Sequence, residues 1–201
     1  MTRRIGLTGG IATGKSHVRA QIEALGVPTI DADVLSRQAV APGTPGQDAV
    51  IARFGDGILD STGALDRRRL GAIVFADAQA RRDLEQIIHP FVRQAIDDWF
   101  ASLATSGQRL GIADIPLLYE TGRQRDFDAV IVAACEPATQ LARVMARDQL
   151  PESEARLRIA AQLPIDEKVR LATHVIWTDG PFAETERQVR AVLELLRSEG
   201  G

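Results

Sequence analysis

The amino-acid sequence predicts an α/β protein with three layers, a five-stranded parallel sheet lying between two layers of helix. Three observations carry that expectation. Short apolar runs alternate with longer segments of helical periodicity, the pattern that builds parallel strands joined by crossover helices. One run, Ala129 to Cys135, is apolar throughout, as expected of a strand covered on both faces. The first run leads directly into a glycine-rich loop and then a helix.

Taken in order, Arg4 to Thr8 is the first strand. Lys15 to Leu25 follows as a helix, with Val18, Ile22 and Leu25 at helical spacing, and Gly26 stops it. Val27 to Ile30 is a second strand, ending at Asp31-Ala32-Asp33. Leu110 to Ile115 is the third strand, the run from Ala129 to Cys135 the fourth and His174 to Thr178 the fifth; Ala183 to Arg197 closes the chain as an amphipathic helix. Residues 42–108 break the rhythm. A turn cluster, Pro42 to Gly46, precedes helical stretches near 47–54, 67–75 and 78–103, with no convincing strand, so this region reads as a helical insertion. Residues 147–170, rich in Arg and Glu and containing Pro151 and Pro164, read as a solvated helical lid. The expected organisation is one domain over 1–201, with a core at about 1–41, 109–146 and 171–201, the insertion at about 42–108 and the lid at about 147–170.

Composition narrows the function. The chain has 201 residues, 45% hydrophobic and 25% charged, the balance of a folded protein. Its net charge of −3 offers no broad basic field, which argues against nucleic acid as a partner but leaves room for an anionic small ligand held by a few focused cations. A single cysteine, Cys135, excludes an internal disulfide and a Cys-based zinc site. There is no run of 18 apolar residues and no apolar signal core, so the expectation is a cytoplasmic protein without a membrane partner. Asn is absent, and of the 24 basic residues only Lys15 and Lys168 are lysine. Where Arg is so strongly preferred, the two positions that stay Lys invite a chemical question.

Gly9-Gly10-Ile11-Ala12-Thr13-Gly14-Lys15-Ser16 has the pattern G-x-x-x-x-G-K-[ST] between a strand and a helix. Glycines allow the backbone to wrap with its N–H groups turned toward phosphate oxygens, and the helix that follows points its positive end at the same anion. Lys15 is placed to reach the β- and γ-phosphates and Ser16 to ligate Mg²⁺. The fold is therefore read as a P-loop NTPase fold that binds a nucleoside triphosphate. A guanine-reading Asn-Lys-x-Asp segment is missing, since the chain has no Asn and Lys168 is followed by Val169-Arg170. Size and the Arg-rich flap favour a phosphotransferase over a motor. Asp31 and Asp33 follow the second strand at its carboxyl end, the edge where open α/β sheets bind ligands. A kinase acting on a hydroxyl needs a carboxylate to orient it and accept its proton, and Asp33 suits that role. On these residues alone a kinase for another small hydroxylated acceptor, or a nucleotide-binding adaptor without catalysis, stays open.

The chain resembles the dephospho-CoA kinase family from end to end. The segments that carry the resemblance are LTGGIATGKS at 7–16, DADVLSR at 31–37, FGDGILD at 54–60, GALDRRRL at 63–70, LEQIIHP at 84–90, DIPLLYE at 114–120, QLARVMARD at 140–148 and AQLPIDEK at 161–168. The resemblance implies transfer of the ATP γ-phosphate to the ribose 3′-hydroxyl of dephospho-CoA, the last step of coenzyme A biosynthesis, with ATP and Mg²⁺ required and no obligatory protein partner. It implies Asp33 as general base and Lys15 and Arg147 as stabilisers of the transferring group. Gly10, Ile11, Ala12, Thr13, Gly14, Lys15, Ser16, His17, Arg143, Arg147 and Thr178 would hold the nucleotide. Thr8, Asp33, Arg37, His89, Pro116 and Leu117 would meet the acceptor, and Ser16 and Asp114 the metal. Arg158, Gln162 and Lys168 match the lid sequence and Glu120 matches the family glutamate. Two departures stand out. The family usually carries Asn after the last strand, near the adenine, where this chain has Trp177-Thr178-Asp179-Gly180; and His17 replaces the Thr or Ser that commonly follows Gly-Lys-Ser.

Overall fold

A computed structural model describes residues 2–199. Strand β1, Arg3–Gly9, leads through the glycine loop into helix α1, Lys15–Ala24. Strand β2 is Thr29–Asp31, followed at once by α2, Ala32–Ala39. Helices α3, Pro45–Phe54, α4, Arg67–Ala76, and α5, Ala78–Thr105, come next. Then come β3, Leu110–Asp114, and β4, Ala129–Ala134. Helices α6, Pro137–Asp148, α7, Glu152–Ala160, and α8, Ile165–Leu171, precede β5, His174–Trp177, and α9, Phe182–Ser198.

The sheet order is β2-β3-β1-β4-β5 and all five strands are parallel. β1 pairs with β3 on one side, Leu7 opposite Asp114, and with β4 on the other, Leu7 opposite Ile131. From β1 the chain goes to the outer edge for β2, returns to fill the gap with β3, then crosses to the other side of β1 for β4 and β5. That reversal lies beside β1, whose carboxyl end carries the glycine loop, and such a switch point is where α/β sheets bind ligands.

The chain divides into two compact units, residues 31–99 and the segments before and after them. In the sheet unit, one face of β1 and β4 contributes Ile5, Leu7, Ile131 and Ala133 to a core closed by Val18 and Ile22 of α1 and Val189, Leu193 and Leu196 of α9. The helical positions recur at three and four residues, so each helix turns one apolar stripe to the sheet. Each fully buried Leu or Ile stabilises the fold by roughly 1.5–3 kcal/mol. On the other face of β1 a Cβ at Gly6 would lie 2.6 Å from Leu118 Cδ1, so only glycine lets that layer approach. In the helical unit a smaller core gathers Val50, Ile58 and Leu70, with Leu84 and Ile87 packed against them.

Differences from expectation are local. β2 begins at Thr29 and not at Val27, because Pro28 has no N–H to give a ladder and the Val27 N–H returns to Ile22 O at 3.3 Å, finishing α1. α3 starts inside the expected turn cluster: Pro45 occupies its first turn and the Thr44 hydroxyl accepts the Gln47 N–H at 3.2 Å. The insertion also holds one bridge, Leu59 to Leu65, whose turn is closed by Asp60 accepting the N–H groups of Thr62 and Ala64. α5 continues through Pro90 for 28 residues.

Candidate active site

The loop between β1 and α1 is built by its backbone. Ala12 (φ 58) and Gly14 (φ 82) are both left-handed, a conformation that costs a side-chain-bearing residue on the order of 1–2 kcal/mol. Such alternation turns successive N–H groups into one concavity suited to an anion. A Cβ at Gly14 would also lie 3.0 Å from Thr178 Oγ1, so two constraints select glycine there. The Thr13 side chain is buried and its hydroxyl donates to Gly10 O at 2.9 Å, bracing the loop from within. From outside, Gln140 Nε2 donates to Ile11 O at 2.9 Å, and Gln162 Oε1 accepts the Ile11 N–H at 2.7 Å. Ser16 is exposed at the start of α1.

Lys15 Nζ donates to Asp114 Oδ1, and Arg19 Nη1 lies 3.6 Å from Asp114 Oδ2. Asp114 closes β3 and is buried, so a carboxylate at this depth needs such partners. Beyond it, Pro116 is half-buried and Leu117 exposed, placing an apolar step next to the loop's lysine and its carboxylate. Thr8, expected to meet the acceptor, is instead fully buried on β1, with its hydroxyl donating to Pro116 O at 3.0 Å.

Three further expectations change. Thr178 does not offer its hydroxyl to a base. It is buried, and Oγ1 lies 2.8 Å from Thr13 O and 3.2 Å from Ala134 O, while accepting Arg143 Nη1 at 3.0 Å. Arg143 adds a bond from Nη2 to Thr178 O at 2.6 Å, so this guanidinium braces the loop frame and is not a free cation for the polyphosphate. The His17 imidazole lies against the Phe182 ring, centroids 4.5 Å apart, with Nε2 buried and lacking a hydrogen-bond partner; the ring is committed to packing. Arg147 stays exposed and is paired with Asp148, Nε to Oδ1 at 2.7 Å; Arg158 reaches the same carboxylate at 2.8 Å. The Arg147 guanidinium, with Arg158 behind it, holds the Asp148 carboxyl below the usual carboxylate range.

In the helical unit, Asp31 is the N-cap of α2, accepting the N–H groups of Asp33 at 2.8 Å and Val34 at 3.3 Å. Asp33 is thereby spared capping: it is exposed in the first turn, and no hydrogen bond or ion pair engages its carboxylate among the described residues. Arg37 is exposed one turn later on the same helix, beside a cavity of about 360 Å³ that Val40, Leu65, Leu70 and Ile88 also line. His89 is exposed in the middle of α5, preceding Pro90.

The sequence of the family described as dephospho-CoA kinase matches residues 3–184. A dephospho-CoA kinase of Anaeromyxobacter dehalogenans is 48% identical over 199 residues, covering 98% of this chain and 94% of that one. Another, from Geobacillus kaustophilus, is 45% identical over 194 residues, 96% of each chain. The chain belongs to the dephospho-CoA kinase family. Its fold agrees: the solved dephospho-CoA kinase of Campylobacter jejuni superposes with a TM-score of 0.76 at 26% identity, over 100% of both chains. A dephospho-CoA kinase is an ATP-dependent phosphotransferase. Among the described residues no helix is long and apolar enough to cross a membrane, and no cluster of His, Cys, Asp and Glu gathers metal ligands by itself.

Three residues fall in the segments that carry the resemblance, but motif reading assigned them no task. Gln140 sits at a core position of α6, one turn before the buried Val144, and a Gln where periodicity expects an apolar residue is the only hint of its bond to the loop. The other two are Lys168 and Glu120. Lys168 is fully buried, and burial pushes its ammonium below the ordinary lysine value while Glu120 opposes that shift and Lys15 adds to it.

Proposed function

We propose that the chain transfers the γ-phosphoryl group of ATP to the ribose 3′-hydroxyl of dephospho-CoA, giving CoA and ADP. The observation that supports this best is the left-handed pair Ala12 and Gly14 at the head of α1, which shapes a phosphate-binding concavity in a chain of this family. The loop N–H groups and the α1 N-terminus hold the β- and γ-phosphates. Lys15 trades Asp114 for phosphate oxygen, a compact ammonium serving where Arg's planar fork would fit poorly. The oxygen donors Ser16 and Asp114 suit Mg²⁺, which when bound offsets charge on the phosphates. Asp33 accepts the proton of the 3′-hydroxyl as its oxygen attacks phosphorus and the bond to ADP breaks. Arg147 swings from Asp148 to the transferring group, and Arg37, Pro116 and Leu117 meet the acceptor.

The test is ADP formation with and without dephospho-CoA at equal ATP and Mg²⁺. Acceptor-dependent ADP release is the expected result, and none would refute the assignment. Because Asp33 is exposed and uncommitted, Asp33→Ala should lower kcat by about 10²–10⁴-fold, the usual worth of a general base, with ATP binding and thermal stability kept. Near-normal turnover in that variant removes Asp33 from the role.

A further inference from the structure

We propose that Lys168 is a positioning residue for phosphoryl transfer: it fixes α8 and the α7–α8 connector to the first half of the phosphate loop. The inference rests on the function proposed above but uses residues to which that mechanism gives no task.

Lys168 Nζ meets three acceptors from three segments: Gly9 O at 3.2 Å, Pro116 O at 3.2 Å and Glu120 Oε1 at 2.8 Å. An ammonium has three donors, and all three are used. The side chain is fully buried, so its charge is costly unless these partners compensate it. A residue needed only for packing would be Leu or Met. Arg would not serve either, because its planar fork cannot converge on three acceptors around one point. This geometry explains why position 168 keeps Lys in a chain that uses Arg almost everywhere else.

The placement of the three acceptors gives the contact its consequence. Gly9 ends β1 and opens the phosphate loop, and within a trans peptide the C=O and the next N–H point in opposite directions. Pinning the Gly9 carbonyl therefore fixes the direction of the Gly10 N–H. Pinning the Pro116 carbonyl does the same for the N–H of Leu117, three residues beyond Asp114, and Thr8 Oγ1 donates to that carbonyl as well, at 3.0 Å. Glu120 carries the linkage onward: its Oε1 also accepts the Leu163 N–H at 2.9 Å. Beside Leu163, Gln162 reaches the Ile11 N–H at 2.7 Å. Helix α8 thus touches the loop at its first carbonyl through Lys168, and the connector before it touches the loop's third residue through Gln162. Displacing Lys168 would loosen the Gly9 and Pro116 peptides together with the seat of Gln162.

Two measurements on the full-length enzyme test this. In Lys168→Met, acceptor-dependent kcat should fall at least about tenfold. ADP formed without acceptor should fall less, so the ratio of hydrolysis to transfer rises. Lys168→Arg should restore thermal stability better than it restores kcat. By hydrogen exchange, the Ile11 and Leu163 amides should lose at least about tenfold protection in Lys168→Met, while Ile5 and Ile131 in the sheet keep theirs. Unchanged kcat together with protected Ile11 and Leu163 overturns the proposal. So does a fall of both ADP rates in proportion, with protection lost throughout the sheet, because that is a folding role only. If the parent enzyme shows no acceptor-dependent ADP at all, the acceptor assignment fails, and the exchange measurement still decides the role of Lys168.

Discussion

Thr178→Val separates two roles for one hydroxyl. The substitution keeps shape and removes one oxygen. That oxygen lies 2.8 Å from Thr13 O and accepts Arg143 Nη1 at 3.0 Å, in a residue only 6% exposed. Without it, a carbonyl of the buried Thr13 loses its side-chain donor and a guanidinium nitrogen loses its acceptor. Leaving a buried polar group unsatisfied costs about 1–3 kcal/mol. Arg143 keeps its bond to Thr178 O at 2.6 Å, which limits the second loss. A central value of about 2 kcal/mol corresponds to a fall in Tm of roughly 4–8 °C for a chain of this size.

Thermal unfolding followed by circular dichroism reads that shift, and competition between ATP and GTP in the ADP- or GDP-release assay reads the base. The hydroxyl is turned into the loop frame, so selectivity for ATP over GTP should stay within about twofold, far less than the tenfold that 1.4 kcal/mol would give. Thr178→Asn, which supplies an amide with both a donor and an acceptor, should keep more of the Tm than Thr178→Val. An unchanged Tm combined with collapsed selectivity would refute the reasoning, since it would mean that the hydroxyl reads the base and braces nothing.

The remaining predictions concern the cap and the thiol. Asp31→Ala should lose about 0.5–2 kcal/mol by removing the N-cap of α2, seen as a lower urea midpoint, and Asp31→Asn should recover most of it. Burial pushes the Cys135 thiol up to about 11, so in the native protein it should resist iodoacetamide near pH 8 and react quickly in denaturant. Its folded value lies above the ordinary one. The proton it keeps therefore favours the fold below the ordinary thiol value, and that contribution is lost as pH rises through about 11, visible as a falling Tm in the alkaline range.

The central strands were legible because each is a run of residues that bury on both faces, and Ala129 to Ala134 is buried at every position, whereas β2 and β5 are only partly buried. The phosphate loop was legible because its function lies in the backbone, and only glycine at position 14 meets its two constraints. The general-base candidate was legible as a pair of aspartates, but which of the two caps α2 depends on side-chain direction, which spacing does not give. The braces were not legible. Thr178 meets Thr13 across 165 residues of sequence and Lys168 meets Gly9 across 159, and no local periodicity carries information over that distance. The arginine at 143 shows the same limit: the resemblance puts Arg143 and Arg147 together on the nucleotide, whereas Arg143 is held by Thr178 and Arg147 by Asp148.

That separation orders the cations by what each must give up to meet a phosphate. Arg147 and Arg158 are themselves exposed and share the half-buried Asp148 carboxylate, and such surface pairs contribute little, so these two are the cheapest to redirect. Lys15 leaves a buried partner, but Arg19 remains near Asp114, and the Mg²⁺ proposed for Asp114 would take up the carboxylate that Lys15 releases. Arg143 would break two bonds to Thr178 and loosen the loop it is meant to help. Lys168 would abandon three acceptors around a buried position, leaving Glu120 without its cation and the Gly9 and Pro116 carbonyls each one donor short. Charge alone groups these five residues together. The cost of exchange divides them into two mobile arginines that can follow the transferring group, one lysine that changes partner with the metal, and two fixed cations that keep the loop in shape while the others move.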